Sequence, residues 1–466
     1  MPVPRLLLPL ALVLLLSTAP AEAGLFGRRP VTLGIVGDQS YSSDLQRSYA
    51  VLEQGVELLA GREEVEAVLH VGDLVESTQA PEEVRTRFGQ AAAILDRLPV
   101  PWYLTAGDHD VNPPGFAPGS SDRSREALFQ ELYGTRVPAF RERPWYSFDV
   151  RGVHVVALYS HQTLHTDPRW GDIFLARIRE DQLDWLRSDL EAHRRARAVV
   201  VFLHQPLWYH WSGWQRVHAL LRHYPGAAVV AGHFHYDQDE GEIDGIRYLV
   251  VGTTGGDHKE GSRDAGDAHH VTLLRVDRPG RVEVELLPVG GGGPLPITPR
   301  EDMDRVQALD VQLGSLWGFA AKNPVFLEGG RLVASCGGPP ARVRIGGLGN
   351  PLDVPVTVQI DFRSEPAGIA LAAPGFGAGL CRETEGGSRC ALAPAARTAI
   401  ANYSSVESGC PAGDCPSLWE AGLDAGRPPA PGTALLFDVR TSFSGASGEL
   451  FLERTLRIDV ASCPLP

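Results

Sequence analysis

The chain has 466 residues, 43% of them apolar and 21% charged, and a formal net charge of −14 at neutral pH. This composition excludes a wholly disordered chain, and the length exceeds what one compact core usually serves, so we expect two domains. Because an acidic protein repels polyanions at long range, the charge argues against a nucleic-acid partner.

The N-terminus has the features of a secretory signal peptide. Arg5 precedes an apolar run over residues 6–16, and Ala21 and Ala23 form a small-x-small cleavage pattern. The run is shorter than the roughly 20 residues that span a bilayer. We predict that residues 1–23 are removed and that the mature protein is secreted or periplasmic, without stable membrane insertion. An uncleaved anchor is the alternative.

Between residues 31 and 290, short apolar runs alternate with segments of helical period. The first helical segment extends from Asp44, a predicted N-cap, to Gly61, a predicted stop, and Pro81 begins the second. Further strand-like runs follow at residues 146–150, 153–158, 198–203, 227–231, 246–251, 271–276 and 282–287. This βαβα order, closing with hairpins, predicts an α/β sandwich. Residues 112–143, rich in Pro, Gly and Ser, are predicted to be a surface insertion.

A second part of different composition follows residue 290. A glycine run and two prolines predict a linker with a short helical connector over residues 291–325. From residue 326 to 466, apolar and polar side chains alternate in several segments, as at Val356, Val358 and Ile360. Period-2 alternation with abundant turn residues predicts a β-rich, sandwich-like domain.

Cysteine and histidine occupy different parts of the chain. All six cysteines lie at or after Cys336, and all fifteen histidines lie at or before His270. In an oxidising compartment the cysteines are expected to form structural disulfides. Pairing by proximity predicts bonds 336–463, 381–390 and 410–415, although other pairings remain open.

Five short blocks each place an Asp or a His directly after an apolar run. They are Gly37-Asp38-Gln39-Ser40, Gly72-Asp73-Leu74-Val75-Glu76, Gly107-Asp108-His109-Asp110, His204-Gln205-Pro206 and Gly232-His233-Phe234-His235. One such block alone is more often an ordinary turn or a core residue. In an open α/β sheet, however, the carboxyl ends of the strands lie together, so the five blocks predict one cluster. Carboxylates mixed with imidazoles suit Zn, Mn or Fe better than calcium.

The order and spacing of these blocks resemble the calcineurin-like metallophosphoesterase superfamily, which includes the purple acid phosphatases. The resemblance covers about residues 31–290. It implies a four-layer α/β/β/α sandwich and a phosphoesterase domain that hydrolyses small phosphate mono- or diesters. The implied mechanism is in-line attack by a metal-bound hydroxide.

The resemblance also implies the roles of individual residues. It implies a two-metal centre with Asp38 and His235 on the first ion, His204, His233 and Asp108 on the second, and Asp73 as the bridge. His109 is implied to be the acid that protonates the leaving oxygen. Glu76 would orient His109 by accepting a hydrogen bond from its ring.

Two positions depart from the family pattern. Ser40 replaces a histidine, which leaves at most a weak ligand there, and Asp108 replaces an asparagine. Three carboxylates around one trivalent and one divalent ion leave the same net charge as two carboxylates around two divalent ions. We therefore hypothesise Fe(III) with a divalent partner; Mn or Zn, or a single ion, are alternatives. A catalytically weak or inactive binding or scaffold protein is the alternative function.

Several further aromatic and histidine residues are candidates for the substrate site. Trp208, His210, Trp211 and His161 are predicted at the rim of the substrate site, with ordinary packing as the alternative. Other histidines are expected to be packing or surface groups: His70, His154, His193, His218 and His223. The oligomeric state stays open.

Overall fold

A computed structural model describes the chain in two parts. The first is residues 29–309 without 41, 43, 78, 114–122, 168–170, 210–212, 225, 258–265, 267 and 278–280. The second is residues 331–333, 342–345, 350, 352–376, 381–384, 387–392, 419–424, 430 and 432–461. The predicted signal peptide lies outside these residues. Within them, no helix is long and apolar enough to cross a membrane.

The first part alternates strands and helices as predicted. The elements are β1 (Val31–Val36), α1 (Leu45–Ala60), β2 (Val65–His70), α2 (Pro81–Leu95), β3 (Trp102–Leu104), α3 (Asp108–Val111), α4 (Ser124–Tyr133), β4 (Tyr146–Val150), β5 (Val153–Ala157), β6 (Thr163–Asp167), β7 (Gly171–Leu175), α5 (Glu180–Ala192), β8 (Ala198–Leu203), α6 (Trp214–Leu221), β9 (Ala227–Ala231), β10 (Gln238–Ile243), β11 (Ile246–Val250), β12 (His270–Val276) and β13 (Val282–Pro288). The predicted N-cap of α1 is confirmed, because the Asp44 side chain accepts a hydrogen bond from Arg47 N at 3.0 Å.

Most strands of this part form two mixed sheets. The first has the order β13-β12-β1-β2-β3, with β1, β2 and β3 parallel. The second has the order β10-β11-β9-β8-β5-β4, with β11, β9, β8 and β5 parallel. Parallel strands direct their carboxyl ends to one edge, so the segments that follow them lie near one another.

Burial along β8 shows how the layers are stacked. Val200 and Phe202 belong to the core that also contains the first sheet, α1 and α2. Val199, Val201 and Leu203 belong to a second core with α5 and α6. Because the second sheet is buried on both faces, its strands are continuous apolar runs. The mixed α/β fold is thus confirmed.

The prediction that residues 112–143 form a surface insertion is wrong for its second half. Helix α4 and a 3-10 turn at Pro138–Arg141 pack into the core, with Phe129, Tyr133 and Phe140 fully buried. The Tyr133 hydroxyl also accepts a hydrogen bond from Leu104 N at 2.7 Å, beside the open edge of β3. The burial of these aromatic side chains holds the segment in the core, although its composition is that of a surface loop.

The second part is built of strands. They are β14 (Arg331–Val333), β15 (Arg342–Ile345), β16 (Val356–Glu365), β17 (Ala370–Phe376), β18 (Cys381–Thr384), β19 (Gly387–Leu392), β20 (Trp419–Asp424), β21 (Ala434–Gly445) and β22 (Gly448–Ala461). They form sheets of order β14-β22-β21-β16-β19-β18 and β15-β20-β17. The predicted alternation along β16 is confirmed at Val356, Val358 and Ile360, which are buried. The domain boundaries stay predictions.

A helix over residues 300–309, α7, contacts the β-rich part. The buried carboxylate of Asp302 accepts hydrogen bonds from Ser447 N at 3.0 Å and Ser447 Oγ at 2.9 Å. Arg305 donates to Asp353 at 3.0 Å. Helix α7 therefore packs against the β-rich part.

One of the three predicted disulfides falls within the described strands. Cys381 lies directly opposite Cys390 in the register of β18 and β19. Cys336, Cys410, Cys415 and Cys463 lie outside the described residues. All three pairings stay predictions.

Candidate metal centre

Most of the predicted ligands follow the ends of strands and have a left-handed backbone conformation. Four of the six have positive φ: Asp38 at 62°, Asp73 at 59°, His233 at 73° and His235 at 65°. Side chains other than glycine pay roughly 1–3 kcal/mol for such a conformation. The turn that follows each strand thus points its carboxylate or imidazole toward the others at an energetic cost, which is typical of a functional site.

One ligand group consists of Asp38, Asp73 and His235. Their ligand atoms lie within 4.8 Å of one another, and all three residues are buried. His235 Nδ1 donates to the Asp257 carbonyl at 2.6 Å, so Nε2 is the nitrogen that faces the carboxylates, 3.8 Å from Asp38 Oδ1. A ring nitrogen held in this manner leaves the other one as a metal ligand.

A second ligand group consists of Asp108, His204 and His233, again within 4.8 Å. Asp108 Oδ1 lies 3.0 Å from His204 Nε2 and 3.2 Å from His233 Nδ1. His204 Nδ1 donates to the Val71 carbonyl at 2.9 Å, which leaves Nε2 as its ligand nitrogen. Asp73 Oδ2 lies 3.3 Å from that same Nε2, so Asp73 links the two groups. The six side chains have the donor types and closeness that a pair of transition-metal ions requires.

Asp110 supports the centre from behind and was not identified as functional from the sequence. Its buried carboxylate accepts hydrogen bonds from Asp73 N at 2.8 Å, Val75 N at 2.8 Å and Gly107 N at 2.9 Å. Burial and the neighbouring charge of Asp73 raise its pKa to about 8. Its position two residues after Asp108 was the only signal available. Asp110 therefore fixes the turn that carries Asp73.

Glycine is required at position 107 by close approach. A Cβ at Gly107 would lie 2.1 Å from Asp73 Oδ1 and 2.5 Å from Asp73 N, which no ordinary contact allows. Any larger residue would displace the carboxylate that links the two ligand groups. The glycine of this block thus serves the geometry of the centre.

His109 and Glu76 form a pair at the edge of the centre. His109 Nδ1 lies 2.7 Å from Glu76 Oε2, and His109 N donates to Asp73 Oδ1 at 2.9 Å. The His109 ring is 25% exposed, whereas His204 is fully buried. Burial lowers the pKa of His109, but Asp73, Glu76 and Asp108 outweigh it and raise the pKa to about 10. Because the His109 ring is partly exposed, it can contact a ligand that enters from solvent.

The carboxylates and imidazoles of the centre perturb one another strongly. Burial alone would lower the pKa of His204, but Asp73, Asp108 and Asp38 raise it well above its usual value. Burial would raise the pKa of Asp108, yet hydrogen bonds from His204 and His233 hold it well below its usual range. Without a metal ion the site therefore favours ionised carboxylates facing a protonated His204, and a bound cation would take the place of that proton.

Residues 42–237 match the family model of the calcineurin-like phosphoesterases. This part of the chain is a calcineurin-like phosphoesterase domain. The family consists of phosphoric ester hydrolases. Belonging to it implies a dinuclear metal centre, and the two ligand groups are the candidates for that centre.

Solved structures similar to the chain include two phosphatases. A dimetal phosphatase from Danio rerio is 16% identical, with 56% of this chain and 100% of that chain covered and a TM-score of 0.40. A purple acid phosphatase from yellow lupin (Lupinus luteus) seeds is 15% identical, with 59% and 55% covered and a TM-score of 0.40. This chain thus spans about half of the lupin protein. No curated protein matches the chain.

Ser40 and Asp108, the two residues of the phosphoesterase domain that depart from the family pattern, both contact residues of the candidate metal centre. Ser40 N donates to the Asp73 carbonyl at 2.9 Å, and its hydroxyl is buried with no hydrogen-bond partner among the described residues. The hydroxyl is therefore compatible with the predicted weak ligand. Asp108, in place of asparagine, contacts both His204 and His233.

The prediction that His161 lies at the rim of the substrate site is wrong, because His161 is fully buried. Its backbone pairs with Arg177, in the segment that follows the β6–β7 hairpin. Neither ring nitrogen has a hydrogen-bond partner among the described residues, and the nearest carboxylate oxygen, Asp108 Oδ1, lies 3.9 Å from Nε2. His161 thus lies behind the second ligand group of the domain.

The aromatic rim is described only in part. The Trp208 ring lies 5.9 Å from Trp214 and 5.1 Å from Tyr248, on the side of the second sheet that α6 covers. These contacts agree with the packing alternative for Trp208. His210 and Trp211 lie outside the described residues, and their role at the rim stays a prediction.

Proposed function

We propose that the protein is a metal-dependent phosphatase or phosphodiesterase that hydrolyses small phosphate esters. The observation that supports this most is the position of Asp73. One of its carboxylate oxygens accepts from His109 N, and the other faces His204 Nε2. Asp73 thereby joins both ligand groups to the residue proposed as the acid. Such an arrangement matches metal-assisted hydrolysis, in which charge stabilisation and proton delivery act on one phosphate.

The chain's own residues have distinct tasks in this proposal. Two cations held by the ligand groups supply Lewis-acid charge to the phosphate and to the attacking water. His109 gives a proton to the leaving oxygen as the bond from phosphorus to that oxygen breaks. Glu76 orients His109 from Nδ1, so Nε2 is the nitrogen that delivers the proton. Asp110 holds the Asp73 turn and does not touch the substrate.

For the metal identity we propose iron with a divalent partner. The third carboxylate, Asp108, supports this because it favours a higher total cation charge. Mn or Zn pairs, or a single ion, are the alternatives. Metal analysis of fully active protein tests the proposal, and two divalent ions without iron would rule it out.

Secretion or periplasmic location is also proposed. It is supported by the signal-like residues 1–23 and by the confinement of cysteine to the C-terminal part. The test is the N-terminal sequence of the mature protein after expression with its own leader. A mature chain that still begins at Met1 contradicts the proposal.

Activity is tested on purified protein with aryl phosphate monoesters and diesters in the presence of Mn, Zn, Co or Fe. His109→Ala is the matched control, because it removes the proposed acid and keeps the proposed ligands. We expect turnover with at least one metal and a large loss in the variant. Substitution of a family ligand by Ser40 favours a second candidate, a weak or inactive scaffold. Metal binding without turnover in every combination would support that scaffold.

A further inference from the structure

A second group of metal-type side chains lies far from the candidate metal centre. Asp149 on β4, His154 on β5 and His193 at the end of α5 have ligand atoms within 4.8 Å of one another. We name these three residues the distal cluster. His154 lies near the start of β5, whereas the candidate metal centre lies beyond its end. The four residue-to-residue steps from His154 to Leu158 alone span about 13 Å of extended chain.

Asp189 accepts a hydrogen bond from each imidazole of the distal cluster. His154 Nε2 donates to Asp189 Oδ2 at 2.8 Å, and His193 Nδ1 donates to the Asp189 backbone carbonyl at 2.7 Å. Ser147 Oγ donates to the other carboxylate oxygen of Asp189 at 2.8 Å. Each imidazole thus has one nitrogen anchored to an oxygen. Such anchoring is the usual support of a metal-ligating histidine.

The remaining ring nitrogens face Asp149. His154 Nδ1 lies 3.0 Å from Asp149 Oδ1, and His193 Nε2 lies 3.9 Å from Asp149 Oδ2. These spacings are similar to those in the candidate metal centre, where His204 Nε2 lies 3.0 Å from Asp108 Oδ1 and His235 Nε2 lies 3.8 Å from Asp38 Oδ1. Two imidazoles and one carboxylate are a ligand set that suits zinc and similar divalent ions.

The distal cluster is accessible to an ion from solvent. Asp149 is 56% exposed and His193 33% exposed, so an ion can enter from solvent. The two rings are stacked with centroids 3.8 Å apart and must open for their nitrogens to face one ion. His193 lies at the C-terminal cap of α5 and is partly exposed. His154 is fully buried and forms the fixed side of the cluster.

We propose that Asp149, His154 and His193 bind one zinc-like divalent ion, separate from the phosphoesterase centre and oriented by Asp189. The ion would join the β4–β5 hairpin to the end of α5 and so stabilise the second sheet. The competing explanation is a network without metal, in which protonated His154 bridges Asp149 and Asp189. These two explanations differ in metal stoichiometry.

The test is equilibrium dialysis of the full chain against micromolar Co²⁺ or Zn²⁺, followed by elemental analysis. His193→Ala and Asp149→Asn are the test variants, and His223→Ala, which removes an exposed histidine elsewhere, is the matched control. We expect each test variant to bind one ion fewer per chain than the wild type. The control should bind the full number. All three variants should keep the circular dichroism spectrum of the wild type, which shows that they are folded.

A thermal measurement gives a second readout. Adding Zn²⁺ to metal-stripped wild type should raise the melting temperature more than it does in His193→Ala, because an ion that binds only the folded state stabilises it. Equal stoichiometry and equal thermal shifts in wild type and both variants would overturn the proposal and support the metal-free network. Because the readout is a difference of one ion, it holds whether or not the phosphoesterase centre is active.

Discussion

The candidate metal centre and the distal cluster use the same side-chain types but different backbones. In the centre, Asp38, Asp73, His233 and His235 all have positive φ. The three residues of the distal cluster have none, since they lie on two regular strands and at a helix end. Backbone strain persists only where the surrounding structure enforces it. The comparison indicates that the fold itself fixes the ligands of the centre, whereas side-chain contacts arrange the distal cluster.

The two sites also differ in burial. In the centre, Asp38, Asp73, His204 and His235 are almost completely buried. In the distal cluster, only His154 is. A buried set of charges strengthens electrostatic interactions with a substrate, while an exposed set mainly ties elements together. The centre therefore fits catalysis and the distal cluster fits stabilisation.

The largest expected effect follows from Asp73→Ala. Losing the linking carboxylate should disrupt both ligand groups and lower kcat/KM by about 10⁴-fold, which corresponds to about 5 kcal/mol of transition-state stabilisation. Bound metal should fall while the single ion of the distal cluster remains. Steady-state kinetics and elemental analysis measure both quantities. Activity near the wild-type value would show that Asp73 does not link the ligand groups.

His109→Ala should have the next largest effect. Removing a general acid lowers kcat by about 10²- to 10³-fold, and the metal content should stay unchanged. The loss should shrink for esters with a strongly acidic leaving group, because such a group departs without a proton. Comparing nitrophenyl and alkyl phosphates measures this dependence. An equal loss for both substrates would indicate that His109 positions the phosphate and donates no proton.

The distal cluster predicts a pH-dependent stability in metal-stripped protein. Burial lowers the pKa of His154, but hydrogen bonds to Asp189 and Asp149 outweigh it and raise the pKa. Because the pKa is higher in the folded state, His154 makes its full contribution to stability at pH values below its unfolded pKa, about 6.5. That contribution is lost as the pH rises through the folded pKa. His193 faces the same aspartates from α5.

The measurement is urea unfolding of wild type and His154→Gln at several pH values with a chelator present. At pH 6, wild type should be more stable by about 2 kcal/mol, the typical contribution of hydrogen bonds to a charged group. The difference should shrink at pH above about 6.5. Zinc should restore it at pH 8, where a metal ion takes the place of the proton. A constant difference at all pH values would argue against the charged form of His154.

Sequence patterns predicted the candidate centre better than they predicted the distal cluster, for a physical reason. Asp38, Asp73 and His204 each follow a strand, and the rule that parallel strands end at one edge brings them together. Asp189 and His193 reach His154 from a helix 35 or more residues away, and no spacing rule foretells that contact. Those histidines were therefore expected to be packing or surface groups.

The same distinction explains the errors within the first part. The N-cap Asp44 and the helix start at Pro81 depend on local chemistry, and both were predicted. The burial of Phe129 and Phe140 depends on the uncovered edge of β3, which composition does not reveal. Asp110 is likewise recognisable only once its three backbone donors, from two separate turns, are known.

The smallest expected effect concerns His161, and the substitution distinguishes a packing role from support of the metal centre. Its two buried ring nitrogens have no hydrogen-bond partner among the described residues. A buried polar group without a partner costs about 1–3 kcal/mol. His161→Phe keeps a ring of similar shape and removes both nitrogens, so it should stabilise the metal-stripped protein by about 1 kcal/mol in urea unfolding.

In metal-loaded protein the same substitution should have the opposite sign. His161 Nε2 lies 3.9 Å from Asp108 Oδ1, so a shift of that carboxylate by less than an ångström would form a hydrogen bond that orients it. Losing such support typically weakens metal affinity by about tenfold. In an Asp108→Asn background the effect of His161→Phe on affinity should disappear, because the carboxylate is no longer there to orient. Equal effects in both backgrounds would assign His161 to packing alone.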